Sequence, residues 1–241
     1  EAESHRRNLD SEKRTLENEK AEWEEREKRS SEILREIKGR LTALEETKLS
    51  HYLDLYVFEE VCKTLHKWEV RDIPMIPVSV NFAGATLRQE GLADKMLHLI
   101  EKHHVRCEYL EVEVSESSSD MNQEMLAETS SKIRKGNVRV ILDHFGAKDS
   151  SFSILSLMEF DGLKLDKSVI SNIVGNGRSR IVAQAVIDIC RQLGASVQAA
   201  GVETQDQFNV LREIGCDYAQ GTLFNKPITI ETFEVRYLRD R

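Results

Sequence analysis

The stretch GNVRVILD, at residues 136–143, combines a turn with an apolar run that ends in a carboxylate. A short apolar run bounded in this way is typical of a strand buried in a parallel sheet. Comparable runs occur on both sides of it, at residues 76–82, 109–114, 162–165, 196–199 and 217–219. The sequence therefore predicts six strands.

Amphipathic segments alternate with these runs. Residues 52–68 place Leu55, Phe58 and Leu65 on one helical face. Further helices are predicted near residues 91–104, 121–135, 151–159, 178–193 and 205–214. Strands that alternate with helices form parallel sheets, so we predict an α/β fold, either a barrel or an open sheet. The carboxyl ends of the strands then share one face, and in such folds that face carries the site.

The composition excludes several classes of function. The chain has 241 residues, 32% of them charged, and a formal charge of −8. No window approaches the roughly 18 apolar residues of a membrane-spanning helix, and no basic run exceeds two residues. We therefore expect a cytoplasmic protein with no membrane insertion and no duplex nucleic-acid partner. Four widely spaced cysteines, without any CxxC pair, predict free thiols and no zinc site.

Residues 1–50 differ in composition from the rest of the chain. They contain 14 acidic and 12 basic side chains, and their apolar residues recur at multiples of seven: Ala2, Leu9, Leu16, Trp23, Ile37 and Leu44. Such a repeat predicts a coiled-coil helix. From residue 33 onward Leu34 and Leu41 add a second seam, which predicts a homodimer through residues 33–50. A single exposed helix held by ion pairs between residues four apart is the alternative.

Six motifs occur in an order that resembles one family. They are SVN at residues 79–81, LEVEVSES at 110–117, LDHFG at 142–146, LKLD at 163–166, AGVET at 200–204 and QG at 220–221. Together they resemble an EAL domain over about residues 52–238. The resemblance implies a TIM-type (β/α) barrel. In active members it also implies hydrolysis of cyclic di-GMP by two divalent metals, Mg²⁺ or Mn²⁺, which prefer oxygen ligands.

The resemblance also assigns roles to particular residues. Asn81, Glu113 and Asp143 match positions that ligate metal in the family. Lys164 matches the lysine near the nucleophilic water. Three further residues match loop or substrate-site positions: Glu116, Glu203 and Gln220.

Three departures from the family pattern predict a degenerate, incomplete barrel. His144 replaces an aspartate that bridges the two metals, and Ala200 replaces the glutamate proposed as general base. The Glu-Ala-Leu motif and the first two barrel strands are missing before residue 52. Loss of a general base costs about 10²–10⁴ in rate, so we expect an inert site without a resident metal. Because histidine ligates Mn²⁺ or Zn²⁺, one ion at His144 is the alternative.

Three functions remain open at this point. The first is a non-catalytic regulatory module that binds a protein partner or dimerises. The second is a receptor that still binds cyclic di-GMP. The third is an active phosphodiesterase, which requires that residues be missing between Ser50 and His51.

Overall fold

The computed structural model describes residues 50–115, 123–147 and 152–239. Within them, six parallel strands form one curled sheet, a partial barrel in which each strand pairs with the next along the chain. The strands are β1 (Val78–Phe82), β2 (Leu110–Ser115), β3 (Arg139–Phe145), β4 (Gly162–Leu165), β5 (Ser196–Ala200) and β6 (Tyr218–Gln220). The predicted fold class, an incomplete TIM-type α/β barrel, is confirmed.

Helices cross over between the strands. They are α1 (Ser50–Val70), α2 (Gly84–Leu87), α3 (Leu92–Lys102), α4 (Gln123–Lys135), α5 (Ile154–Leu157), α6 (Lys167–Ile170), α7 (Gly177–Leu193), α8 (Gln205–Glu213) and α9 (Ile230–Phe233). A 3₁₀ turn covers Cys107–Tyr109, and a π-helical segment, Glu234–Arg239, follows α9. The helix predicted at 151–159 is a single turn. The other one-turn helices are too short to show an amphipathic period.

The core lies between the helices and the convex face of the sheet. Alternate strand residues point to that face, and Val112, Leu142 and Leu163 are fully buried there. From α1, Phe58 packs edge-to-face against Phe82 of β1, with ring centroids 5.8 Å apart. Burial of each such side chain contributes roughly 1.5–3 kcal/mol, so this layer holds the sheet and its helices together.

The remaining alternate residues point to the concave face, which is polar. Closed barrels fill this space with branched apolar side chains. Here Ser79 Oγ donates a 2.7 Å hydrogen bond to Glu111, and Arg139 also contacts Glu111. These residues line an open cavity of about 390 Å³ together with Gln198 and Tyr218. The polar residues of this open cavity are compatible with a half-barrel, because they are satisfied by one another and by water.

Some predictions fall outside the described residues. The proposed coiled coil lies there apart from Ser50, and so does Glu116. Across residues 50–115, 123–147 and 152–239, every helix is too short or too polar to cross a lipid bilayer.

Candidate functional site

An irregularity in β3 shapes the carboxyl end of the sheet. Leu142 pairs with Leu163 and Phe145 pairs with Leu165, so Asp143 and His144 together oppose a single residue of β4. His144 takes up the left-handed conformation that this bulge requires, with φ of 59°. Histidine and aspartate are among the residues that tolerate such a backbone best. The strand predicted to end at Asp143 therefore continues for two more residues.

The sheet register brings the predicted metal-ligand residues together. Asn81 of β1 lies beside Glu113 of β2, and Asp143 of β3 lies beside Ser115 of the same β2 strand. Parallel strands end at one edge, which explains this grouping. Glu113 and Asp143 are buried, whereas Asn81 is exposed.

Lys164 is held in a buried ion pair. Its Nζ donates a 2.8 Å hydrogen bond to Glu113 Oε2, reaching across β3, and the two side chains are only 9% and 5% exposed. A buried charge needs such a partner, and removal of one member of a buried pair costs about 3–5 kcal/mol. The lysine and the glutamate predicted to serve the site therefore neutralise each other.

The imidazole of His144 lies between two carboxylates. Its Nδ1 is 3.2 Å from Asp166 Oδ2, and its Nε2 is 3.4 Å from Asp143 Oδ2. The backbone N–H of His144 also donates to Asp143 Oδ1 at 2.7 Å. Burial opposes ionisation of Asp166, but hydrogen bonds from Ser168 and from His144 hold its pKa below the usual value. The ring thus occupies the space between acids where a cation would be attracted.

Three other predicted residues lie at the ends of β5 and β6. Ala200 ends β5 and is paired in register with Gln220, the last residue of β6. Gln220 Oε1 accepts a 3.3 Å hydrogen bond from Gln198. Glu203 is exposed, and its Oε1 lies 2.5 Å from Lys167 Nζ. Ala200 carries only a methyl group at the position that the resemblance assigns to a general base.

A cavity of about 750 Å³ adjoins Gln220. Aromatic and aliphatic side chains supply much of its lining, including Phe224, Phe233 and Tyr237, and the amide of Asn225 adds a polar group. Gly221 of the QG motif lies in the lining, where only glycine fits because a Cβ would lie 2.0 Å from the carbonyl oxygen of Val202. An apolar cavity with a few polar groups is typical of small-molecule binding sites.

Comparison with known sequences identifies the family. A profile described as the EAL domain matches residues 22–227. The chain belongs to the EAL family.

Individual relatives agree with that assignment. The EAL chain is 31% identical over 182 residues to the cyclic di-GMP phosphodiesterase NbdA of Pseudomonas aeruginosa, covering 76% of this chain and 23% of NbdA. It is 32% identical over 190 residues to the signaling protein YkoW of Bacillus subtilis, covering 79% and 24%. The chain therefore spans about a quarter of the length of these curated relatives.

A solved structure supports the fold. The PaMucR phosphodiesterase in complex with c-di-GMP superposes with a TM-score of 0.74 at 24% identity, covering 80% of this chain and 78% of that one. At this level of identity the likeness concerns the fold alone.

The donor set of this EAL domain does not fit a metal pair. In the part of the chain that the structure describes, no three His, Cys, Asp or Glu side chains are grouped to hold an ion. Glu113 is engaged by Lys164, and Asp143 and Asp166 are engaged by His144. A divalent ion would have to displace the Lys164 ammonium and the His144 ring to gain these carboxylates as ligands.

Sequence reasoning gave no role to Asp166 or Lys167, although Asp166 lies within the quoted LKLD motif. Asp166 also caps α6, since its Oδ1 accepts the backbone N–H of Ser168. An aspartate that directly follows a strand and precedes a helix is a recognisable signal for such a cap. No local sequence pattern predicts the contact between Asp166 and His144, because this contact depends on the β3 bulge.

Proposed function

We propose that this chain is a non-catalytic EAL domain that acts in cyclic di-GMP signalling by binding a protein partner or a second copy of itself. The observation that carries the proposal is the position of the His144 ring between Asp143 and Asp166. The two ring nitrogens there lie close to both acids, so the imidazole takes the place of a metal ion between them. The chain thereby keeps the architecture of an EAL site without its metal chemistry.

Two further features support an inert site. Access of a metal to Glu113 requires separation of the Lys164 pair, which leaves a buried ammonium without its partner. Ala200 offers no proton acceptor for a water molecule. Loss of the base alone costs about 10²–10⁴ in rate, and absence of the metal pair removes the means of generating the nucleophile.

The proposal is tested by measuring cyclic di-GMP turnover with Mg²⁺ or Mn²⁺. We expect no turnover from the native chain. Restoration of the family residues through His144→Asp and Ala200→Glu should leave turnover negligible, because the sequence still lacks a Glu-Ala-Leu motif. His98→Asp, on the exposed face of α3, is the control for the added charge. Native turnover near 1 s⁻¹, in the ordinary range of enzymes, would contradict the proposal.

A second candidate function is a cyclic di-GMP receptor. The cavity beside Gln220 favours it, because Phe224, Phe233 and Tyr237 provide faces on which a purine ring can stack. Binding by the aromatic wall requires no metal. Calorimetric titration with cyclic di-GMP, with GTP as control, tests this candidate. The receptor candidate is supported if cyclic di-GMP gives a heat of binding and Phe224→Ala removes that heat. It is rejected if no binding occurs at millimolar nucleotide.

A further inference from the structure

Glu234 is a buried carboxylate that lies outside the candidate site. It is 3% exposed and stands at the start of the π-helical segment after α9. Its Oε1 accepts hydrogen bonds from Trp68 Nε1 and Lys67 Nζ, both at 2.9 Å. Its Oε2 lies 3.4 Å from Arg239 Nη2. Because Lys67 and Trp68 belong to α1, this carboxylate connects the last helical segment of the described chain with α1.

Glu234 makes hydrogen bonds that are specific in geometry and of a strong type. Trp68 is 1% exposed and offers a single N–H donor, so its orientation is set by the acceptor that it meets. The hydrogen bonds from Lys67 and Trp68 keep the pKa of Glu234 below its usual value. Hydrogen bonds to an ionised group are about twice as strong as neutral ones, so α1 and the end of the chain are held in one relative position.

The segment that carries Glu234 also forms a wall of the 750 Å³ cavity. Phe233 directly precedes it, and the rings of Phe233 and Tyr237 lie 5.2 Å apart. Tyr237 Oη accepts a 2.9 Å hydrogen bond from Asn225 Nδ2 on the other side of the cavity. Lys67 and Trp68 are absent from the lining. The Glu234 segment therefore links α1 to these aromatic rings by direct contacts.

We propose that Glu234 is a positioning residue that couples α1 to the cavity beside Gln220. α1 sets the position of Phe233 and Tyr237 through Lys67 and Trp68, and a planar purine ligand in the cavity acts back on α1 through the same contacts. The inference rests on the receptor function proposed above. Coupling between two sites is reciprocal, so a change in the contacts of Lys67 and Trp68 alters affinity for the ligand, and the ligand alters the surroundings of Trp68.

Trp68 provides a direct test of this coupling. The sequence has two tryptophans, Trp23 and Trp68, so Trp68 is the only one left in the full chain carrying Trp23→Phe. Cyclic di-GMP is expected to shift the emission of Trp68 although the residue does not touch the cavity. Glu234→Gln should remove most of that shift and weaken binding by about fivefold or more, the usual range of coupling between sites. Glu231→Gln, an exposed change of the same charge on α9, should leave both unchanged.

The outcomes separate the coupling from the receptor function. Native affinity and a full Trp68 shift in Glu234→Gln would overturn the coupling and leave the receptor function intact. If cyclic di-GMP does not bind to the native chain, the receptor function is rejected. Amide hydrogen exchange then tests whether Glu234 couples α1 to the cavity. Glu234→Gln should speed exchange of amides in residues 221–239 and leave β2 to β4 unchanged, whereas equal exchange overturns the inference. If Glu234→Gln does not fold, Lys67→Gln, at a partly exposed position, should produce the same effects in weaker form.

Discussion

Lys164 illustrates how one side chain can change role while its sequence motif is retained. The residue between Leu163 and Leu165 is placed by strand alternation on the concave face, where an unpaired ammonium is costly. Its pairing with Glu113 provides the counter-charge. In this chain the lysine is an electrostatic support of the sheet, in addition to marking the family motif.

We predict that Lys164→Met lowers the free energy of unfolding by about 3–5 kcal/mol, because it leaves the Glu113 carboxylate buried and unpaired. Glu113→Leu in the same chain should recover much of the loss, since replacement of a buried pair by apolar groups is often neutral. Urea denaturation measures both variants. Lys63→Met, which removes an exposed pair with Glu60, is the control and should change stability by no more than about 1 kcal/mol. If Lys164→Met also lowers the free energy of unfolding by no more than about 1 kcal/mol, the pair with Glu113 does not stabilise the fold.

Helices α1 and α3 are connected by Glu59. Its Oε1 lies 2.7 Å from Lys102 Nζ and 2.9 Å from His103 Nε2, at the end of α3. Lys102 and His103 lower the pKa of Glu59 from 4.5 to about 2. Because the pKa in the folded chain is depressed, the carboxylate stabilises the fold fully above pH 4.5, and this contribution is lost as the pH falls towards 2.

We therefore expect Glu59→Gln to be less stable than the native chain at pH 6, and the difference between them to shrink by pH 3. Denaturant titrations at the two pH values measure it. A difference of equal size at both pH values would show that the contacts of Glu59 do not depend on its ionisation.

For the whole molecule, the main prediction concerns self-association through residues 33–50. Ile37, Leu41 and Leu44 occupy seam positions of the seven-residue repeat, so Leu41→Glu with Leu44→Glu should convert a dimer into a monomer. Burial of each leucine is worth roughly 1.5–3 kcal/mol, which two substitutions remove. Light scattering at tens of micromolar measures the mass, with Thr42→Glu, off the seam, as control. A native chain that is monomeric under these conditions would refute the coiled-coil dimer.

Local features of the sequence determined the strands and the longer helices of this protein. Branched apolar runs and turns located all six strands, because alternation and turn chemistry act over a few residues. Thr204 shows the same principle, since this residue of the AGVET motif caps α8 in a capping box with Gln207 three residues later. The site residues were assigned by the resemblance to the EAL family, and parallel connections bring the strand ends that carry several of them to one edge.

Only the tertiary structure decided which of those residues contact one another. The Lys164–Glu113 pair joins residues 51 apart in sequence, and the Glu234–Trp68 hydrogen bond joins residues 166 apart. The β3 bulge, which turns His144 towards Asp166, arises from the way β3 pairs with β4. Periodicity specifies which face a side chain takes, but the partner on that face depends on how separate elements pack, and packing is a property of the whole fold.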